Sequence, residues 1–156
     1  MPSKKTLKKA AQDRAEGKSS STQAGEFIRE EMHHIREGKH GARNAKQAIA
    51  IGLSKARRAG VDAKPGASAS ARVRRKAARD TALAGDKPNP RRARATEAAL
   101  KREPRAAASP RALSRQAHAS AERRRKAGGS NSPRAVAKRA AKTRKRSAGH
   151  ARKAAA

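Results

Sequence analysis

The side chains in this sequence most able to do chemistry are cations. Arg72, Arg74, Arg75 and Lys76 form one cluster, Arg91, Arg92 and Arg94 a second, and Arg123, Arg124, Arg125 and Lys126 a third. Lys138, Arg139, Lys142, Arg144, Lys145 and Arg146 extend the series, and Arg57 and Arg58 precede it. Groups of this kind neutralise phosphates. Each contact releases a condensed counterion, which makes binding tight at low salt, strongly salt-dependent and largely indifferent to base sequence. Single-strand binders and most sequence-specific RNA readers stack bases on aromatic rings. Phe27 is the one aromatic residue in the chain, and it reads as core. The expected partner is therefore the backbone of duplex DNA, favoured over RNA, with structured RNA, including ribosomal RNA, as the alternative.

Two sharper constellations lie upstream. Gln47, Ile51, Ser54 and Arg58 recur at spacings of four, three and four, which places them along one face of a helix. Gln and Arg read base edges and Ile meets a thymine methyl, so this is a candidate base-reading face; the plainer account is a solvated face with Ile51 covered. His33, His34 and His40 accompany Glu30 and Glu37. Glu30 with His34, and His33 with Glu37, share a face at i, i+4. Two-ligand pairs of this kind are common by chance, and no third His or Cys is fixed beside them, so no metal and no cofactor is expected. The sequence contains no Ser motif beside a base and an orienting carboxylate and no phosphate-cradling glycine loop. No catalytic residue and no small-molecule substrate is expected.

Composition agrees. The 156 residues include 42 Lys and Arg against 12 Asp and Glu, a formal charge of +30. Of the 35% counted as hydrophobic, 39 residues are alanine and only 13 are Leu, Ile, Val or Phe. That is well below the ~20% under which a highly charged chain is expected to be disordered, because little apolar surface offsets chain entropy. A conventional enzyme domain is nearly excluded. With no cysteine, disulfides and thiolate metal sites are excluded too. No run approaches the ~18 apolar residues of a membrane span, and no apolar segment follows the basic N-terminus as a secretory signal requires. Membrane-surface binding ranks below nucleic acid, since a large apolar face is lacking. The expected setting is cytoplasmic.

Charge and apolar residues are unevenly distributed. Residues 1–63 hold 14 basic and 7 acidic side chains and 10 of the 15 Val, Ile, Leu, Met and Phe, whereas residues 64–156 hold 28 basic and 5 acidic. The expected organisation is all-α: a small N-terminal module over 1–63, followed by a basic Ala/Arg/Lys-rich tail over 64–156. Three short helices are expected in the module: about Ser3 to Glu16, after Thr22 to before Gly38, and after Asn44 to Gly60. Polar residues open them and glycines close them. The second carries an apolar stripe at Ala24, Ile28, Met32 and Ile35 with Phe27 on its flank. The third carries Ala45, Ile49, Leu53 and Ala56, with Gly52 allowing close approach. The first adds only Leu7, Ala10 and Ala11. So small a core is marginal alone, and homodimerisation through the stripes of helices 22–38 and 44–60 is an available remedy. The second helix is acidic, with Glu26, Glu30, Glu31 and Glu37. It offers a dock for the tail or for a basic protein, against the plainer reading of local pairs such as Glu26–Arg29 and His33–Glu37.

The runs Ser21-Thr22-Gln23-Ala24-Gly25-Glu26-Phe27-Ile28-Arg29-Glu30-Glu31, Ile35-Arg36-Glu37-Gly38-Lys39-His40-Gly41-Ala42-Arg43 and Gln47 through Gly60 carry a resemblance. Residues 1–62 resemble a family of small basic proteobacterial proteins classed as a domain of unknown function, whose members are often labelled DNA-binding or plasmid-stabilisation protein. The resemblance implies a bacterial, cytoplasmic setting and carries over no catalytic residue. The stripe-bearing helix pair and the acidic second helix keep open a different class of function, a helical protein–protein adaptor in plasmid maintenance or stress response.

The tail contains a loose repeat at Asn89-Pro90-Arg91-Arg92-Ala93, Ser109-Pro110-Arg111-Ala112-Leu113 and Ser132-Pro133-Arg134-Ala135-Val136. Each unit sets Asn or Ser at an N-cap and Pro at the first helical position. Strong helix formers follow, with stops at Glu103-Pro104, Gly128-Gly129 and Gly149. Ser70 to Ala84 behaves alike without the proline. With about one large apolar residue per segment and dense like charge, the tail is expected to be largely disordered and to become helical on a polyanion. In style it is similar to the C-terminal tails of linker histones and to bacterial Ala/Lys/Arg-rich histone-like proteins. The function expected is a nonspecific nucleic-acid-binding protein that compacts, protects or tethers DNA.

Overall fold

The computed structural model describes residues 2–66 and 69–126. Among them are six α-helices, one 3-10 turn and no strands: α1 Lys4–Ala15, α2 Ser20–Arg36, α3 Ala45–Arg58, α4 Ala71–Ala82, α5 Pro90–Lys101, the 3-10 turn Arg105–Ala108 and α6 Pro110–Lys126. The all-α class is as expected. The helix count is not, because α4, α5 and α6 are formed where a largely disordered tail was expected. Their boundaries coincide with the cap and stop signals of that region. The Ser70, Asn89 and Ser109 side chains accept the amides of Val73, Arg92 and Ala112, each satisfying one of the orphan donors of a helix start. Alanine supplies propensity. The pairs Lys76–Asp80, Glu97–Lys101 and Glu122–Lys126, at 3.2, 2.9 and 2.9 Å, offset some of the like charge along the helices. The third repeat, from Ser132, lies outside the described residues.

The first three helices begin and end by local chemistry. Ser3, Ser19 and Asn44 cap the amides of Thr6, Thr22 and Gln47. The Ser19 cap starts α2 two residues before Thr22, earlier than expected. Gly17, Gly38 and Gly60 adopt φ of 70°, 79° and 87°. Behind each, the paired backbone bonds of a Schellman motif close the helix, as in Gly60 N–H to Arg57 O and Val61 N–H to Ala56 O.

α2 and α3 form a hairpin whose apolar faces meet, and α1 packs on α2. The core has two parts. Ala10, Ala24, Phe27, Ala56, Val61 and Ala63, with Leu53 against them, form one cluster. Met32, Ile35, Ala42, Ala48, Ala107 and Ala108, flanked by Ile28, Ile49 and Leu113, form the other. The faces differ in detail from the expected stripes. Phe27 is fully buried rather than flanking, and Ala48 lies deeper than Ile49. α1 turns Thr6, Ala10 and Asp13 inward and leaves Leu7 exposed, so small side chains, not Leu7, set its approach to α2. Gly52 meets Ile28 so closely that an added Cβ would stand 2.8 Å from the Ile28 Cα, which is the close helix approach expected there.

The compositional boundary at Ala63 falls inside one compact unit that runs to Ser114; the described residues from Arg115 onward belong to a second. Several contacts bind the following chain to the hairpin. α4 packs on α3, burying Ala77 and Asp80. Gly85 N–H donates to Arg58 O. The 3-10 turn packs on α2 and α3, with Arg36 Nε donating to Ala108 O at 3.0 Å. Gly41 makes this last docking feasible: its amide donates to Leu100 O, Ala42 N–H donates to Pro104 O, and a Cβ at Gly41 would overlap Glu103 O.

Candidate functional site

The cations fall on helices that fix where they point. α4 turns Ala77 and Asp80 inward, and its Arg72, Arg74, Arg75, Lys76 and Arg79 are all exposed. α5 buries no residue, so Arg91, Arg92 and Arg94 also stand in solvent. Arg91 and Arg92 line an open depression with Asn89 and Ala95. At the end of α6, Arg123, Arg124, Arg125 and Lys126 are exposed. Some are partly engaged. Arg74 Nη1 donates to Ala69 O at 2.6 Å, Lys76 pairs with Asp80, Arg123 Nε donates to Ala119 O and Lys126 pairs with Glu122. Such exposed contacts are worth tenths of a kcal/mol and yield readily to a phosphate. Lys138, Arg139, Lys142, Arg144, Lys145 and Arg146 lie outside the described residues.

Arg57 does not belong with them. It is 7% exposed, and its Nε donates to Ala63 O at 2.8 Å, which ties the chain after α3 back onto the helix. Its guanidinium serves the fold. Arg58 is half-buried, with Nη2 directed at Asp86 O, 3.3 Å away. Arg79, not singled out from the sequence, is exposed on the same helix as the first cluster; the helical reading of Ser70–Ala84 already contained it.

The face proposed for base reading is only partly free. Gln47 accepts the Arg43 amide through Oε1 at 2.9 Å, so one of its polar groups is engaged in the turn before α3. Ile51, Ser54 and Arg58 are half-buried. The acidic side chains of α2 are also engaged within the first 63 residues. Glu26 pairs with Arg29 at 2.6 Å and Lys9 at 3.9 Å, and Glu37 with Lys39 and His33. Glu30 accepts the Ser3 amide at 2.7 Å. The two apolar stripes face each other within one chain.

A different cluster gathers where α2 meets the following turn. Glu31 is completely buried, its Oε2 2.5 Å from Lys55 Nζ and its Oε1 3.3 Å from His40 Nε2. His34 stands beside them, so that Glu31, His34 and His40 can each bring a ligand atom within 4.8 Å of the others. The sequence pairing of Glu30 with His34 also exists, at 3.9 Å, but the buried partner is Glu31. Burial lowers the His34 pKa below its ordinary value, with Lys55 and Lys39 acting in the same direction. For Glu30 burial pushes upward, yet hydrogen bonds from the Ser3 amide and hydroxyl prevail and hold the carboxyl below the usual range. No spacing announced Glu31, because its Lys55 partner lies 24 residues away.

Compared with family models, curated proteins and solved structures, the chain matches none. Among the described residues, no helix is long and apolar enough to cross a membrane.

Proposed function

We propose that this protein binds duplex nucleic acid through the phosphate backbone, without base specificity, and acts on DNA in a histone-like, nucleoid-associated role. One observation carries the reading: α4 and α5 expose Arg72, Arg74, Arg75, Lys76, Arg91, Arg92 and Arg94, while the single aromatic ring, Phe27, is fully buried. Charge is available to phosphates, and no Phe, Tyr or Trp ring is available to bases. Residues 127–156 add nine Lys and Arg and no acidic residue. The resemblance of residues 1–62 to proteins labelled DNA-binding points the same way.

Preformed helices sharpen the mechanism. Fixing α4 on α3 removes part of the ordering entropy that a disordered cationic segment gives up when it binds. Bound phosphate then neutralises neighbouring cations that repel one another on the free helix. Competition among fluorescent 30-base-pair duplexes tests the proposal, with two unrelated DNA sequences, a single strand and a duplex RNA against the full chain. The DNA duplexes should bind alike, far from the ~10³-fold or greater gap between specific and nonspecific binding, and both should outcompete the single strand. Marked preference for one sequence, or for the single strand, overturns the proposal. Preference for duplex RNA moves the role to RNA.

A further inference from the structure

We propose that Glu31, His34 and His40 form a binding site for a divalent transition-metal ion of the zinc type, independent of the cationic helices. The hydrogen bonding of His40 starts the case. Its Nδ1 lies 3.0 Å from Gly41 O. A carbonyl only accepts, so the proton of that bond sits on Nδ1, which leaves Nε2 as the nitrogen open to a metal. Nε2 lies 3.3 Å from Glu31 Oε1, on a side chain with no exposed surface, and Oε1 has no hydrogen-bond partner among the described residues. A buried carboxylate oxygen thus stands unpartnered beside a ring nitrogen, an arrangement that a shared cation relieves.

The geometry suits a metal. With metal–ligand bonds of about 2.0–2.1 Å, neighbouring donors of a tetrahedral ion stand about 3.3 Å apart, which is the separation of His40 Nε2 and Glu31 Oε1. His34 completes three residues whose ligand atoms lie within 4.8 Å of one another. Two imidazoles and one carboxylate select zinc-like ions over magnesium or calcium, and a fourth position remains for water. The surroundings supply the outer contacts that metal-binding imidazoles use. Gly41 O orients His40, and Lys55 occupies Glu31 Oε2, leaving Oε1 to the metal. Glu30 Oε2 is likewise buried and without a hydrogen-bond partner, so a second carboxylate adds negative potential. The bound ion ties α2 to the turn that holds the 3-10 segment.

Titration of the chelator-stripped full chain with Co2+ tests the site. The expected result is one ion per chain with the visible bands of a four- or five-coordinate centre, displaced by Zn2+, and an unfolding midpoint that rises with free metal. His34→Gln and His40→Gln should each weaken binding by at least about tenfold. A chain with His33, His118 and His150 all changed to Gln should retain it. Absence of a saturable cobalt spectrum in the parent chain overturns the proposal, as does its loss in the triple variant. If the His34 and His40 variants prove unfolded by circular dichroism, the parent and triple variant decide between these outcomes.

Discussion

At the scale of single residues, burial and pairing separate the side chains that hold the fold from those offered to a partner. Phe27 fills the centre of the first core cluster, where the only aromatic ring replaces many absent aliphatic ones. Phe27→Ala should cost about 3–5 kcal/mol, a large fraction of the stability of a unit this small, and urea denaturation followed at 222 nm reads it. Glu31 and Lys55 make a sharper comparison. Lys55 retains 25% exposure whereas Glu31 has none, so Lys55→Met strands a buried carboxylate while Glu31→Gln leaves an ammonium that still reaches water. Breaking a buried pair from one side costs about 3–5 kcal/mol, and the lysine change should lie well above the glutamate change in the same denaturation series. Equal losses would mean that Glu31 is less enclosed than its surroundings indicate. The Glu31–Lys55 pair was not legible from spacing. A glutamate on the inner face of an amphipathic helix violates the apolar pattern, and only the long-range approach of Lys55 makes it tolerable. Arg57 is buried by a local contact instead, its guanidinium folded back on the Ala63 carbonyl six residues on, which its residue type does not announce.

At the scale of elements, helix starts and stops were legible because they are local. Ser3, Asn44, Ser70, Asn89 and Ser109 cap where their types and positions indicated, and Gly17, Gly38 and Gly60 take positive φ at the expected ends. What was not legible is that the 3-10 turn docks on the hairpin. Ala107 and Ala108 are buried in the second cluster, yet an alanine pair in an alanine-rich tail has no periodicity to mark it. The helices also differ in what supports them. α4 rests on α3, whereas α5 buries no residue and depends on its cap and propensity, marginal support for a 12-residue helix. Asn89→Ala should therefore reduce the helical signal, removing about 1 kcal/mol of capping, with the global unfolding midpoint unmoved. Ser70→Ala should lower that midpoint, since α4 unfolds with the unit it packs on. Amide hydrogen exchange across residues 90–101 and 71–82 distinguishes the two cases. Gly41→Ala should disturb the docking of residues 100–108 and lower the midpoint, because its Cβ would overlap Glu103 O.

At the scale of the whole molecule, the formal charge of +30 is carried by a chain whose apolar residues suffice for one small helical unit. Seven of the twelve acidic residues lie in the first 63, and those on α2 are paired or hydrogen-bonded there, so the later cations remain uncompensated by them. The most direct test of phosphate binding compares how the affinity of the full chain for duplex DNA falls with salt, with and without the exposed α4 cluster. In a plot of log affinity against log salt, each phosphate contact contributes a slope of about −0.9. Changing Arg72, Arg74, Arg75 and Arg79 together to Gln removes four exposed cations and leaves the buried Ala77 and the Lys76–Asp80 pair in place. The account predicts a steep slope for the parent chain and one shallower by about 3–4 for the variant, with unfolding midpoints alike. An affinity insensitive to salt, or slopes that coincide, would contradict it.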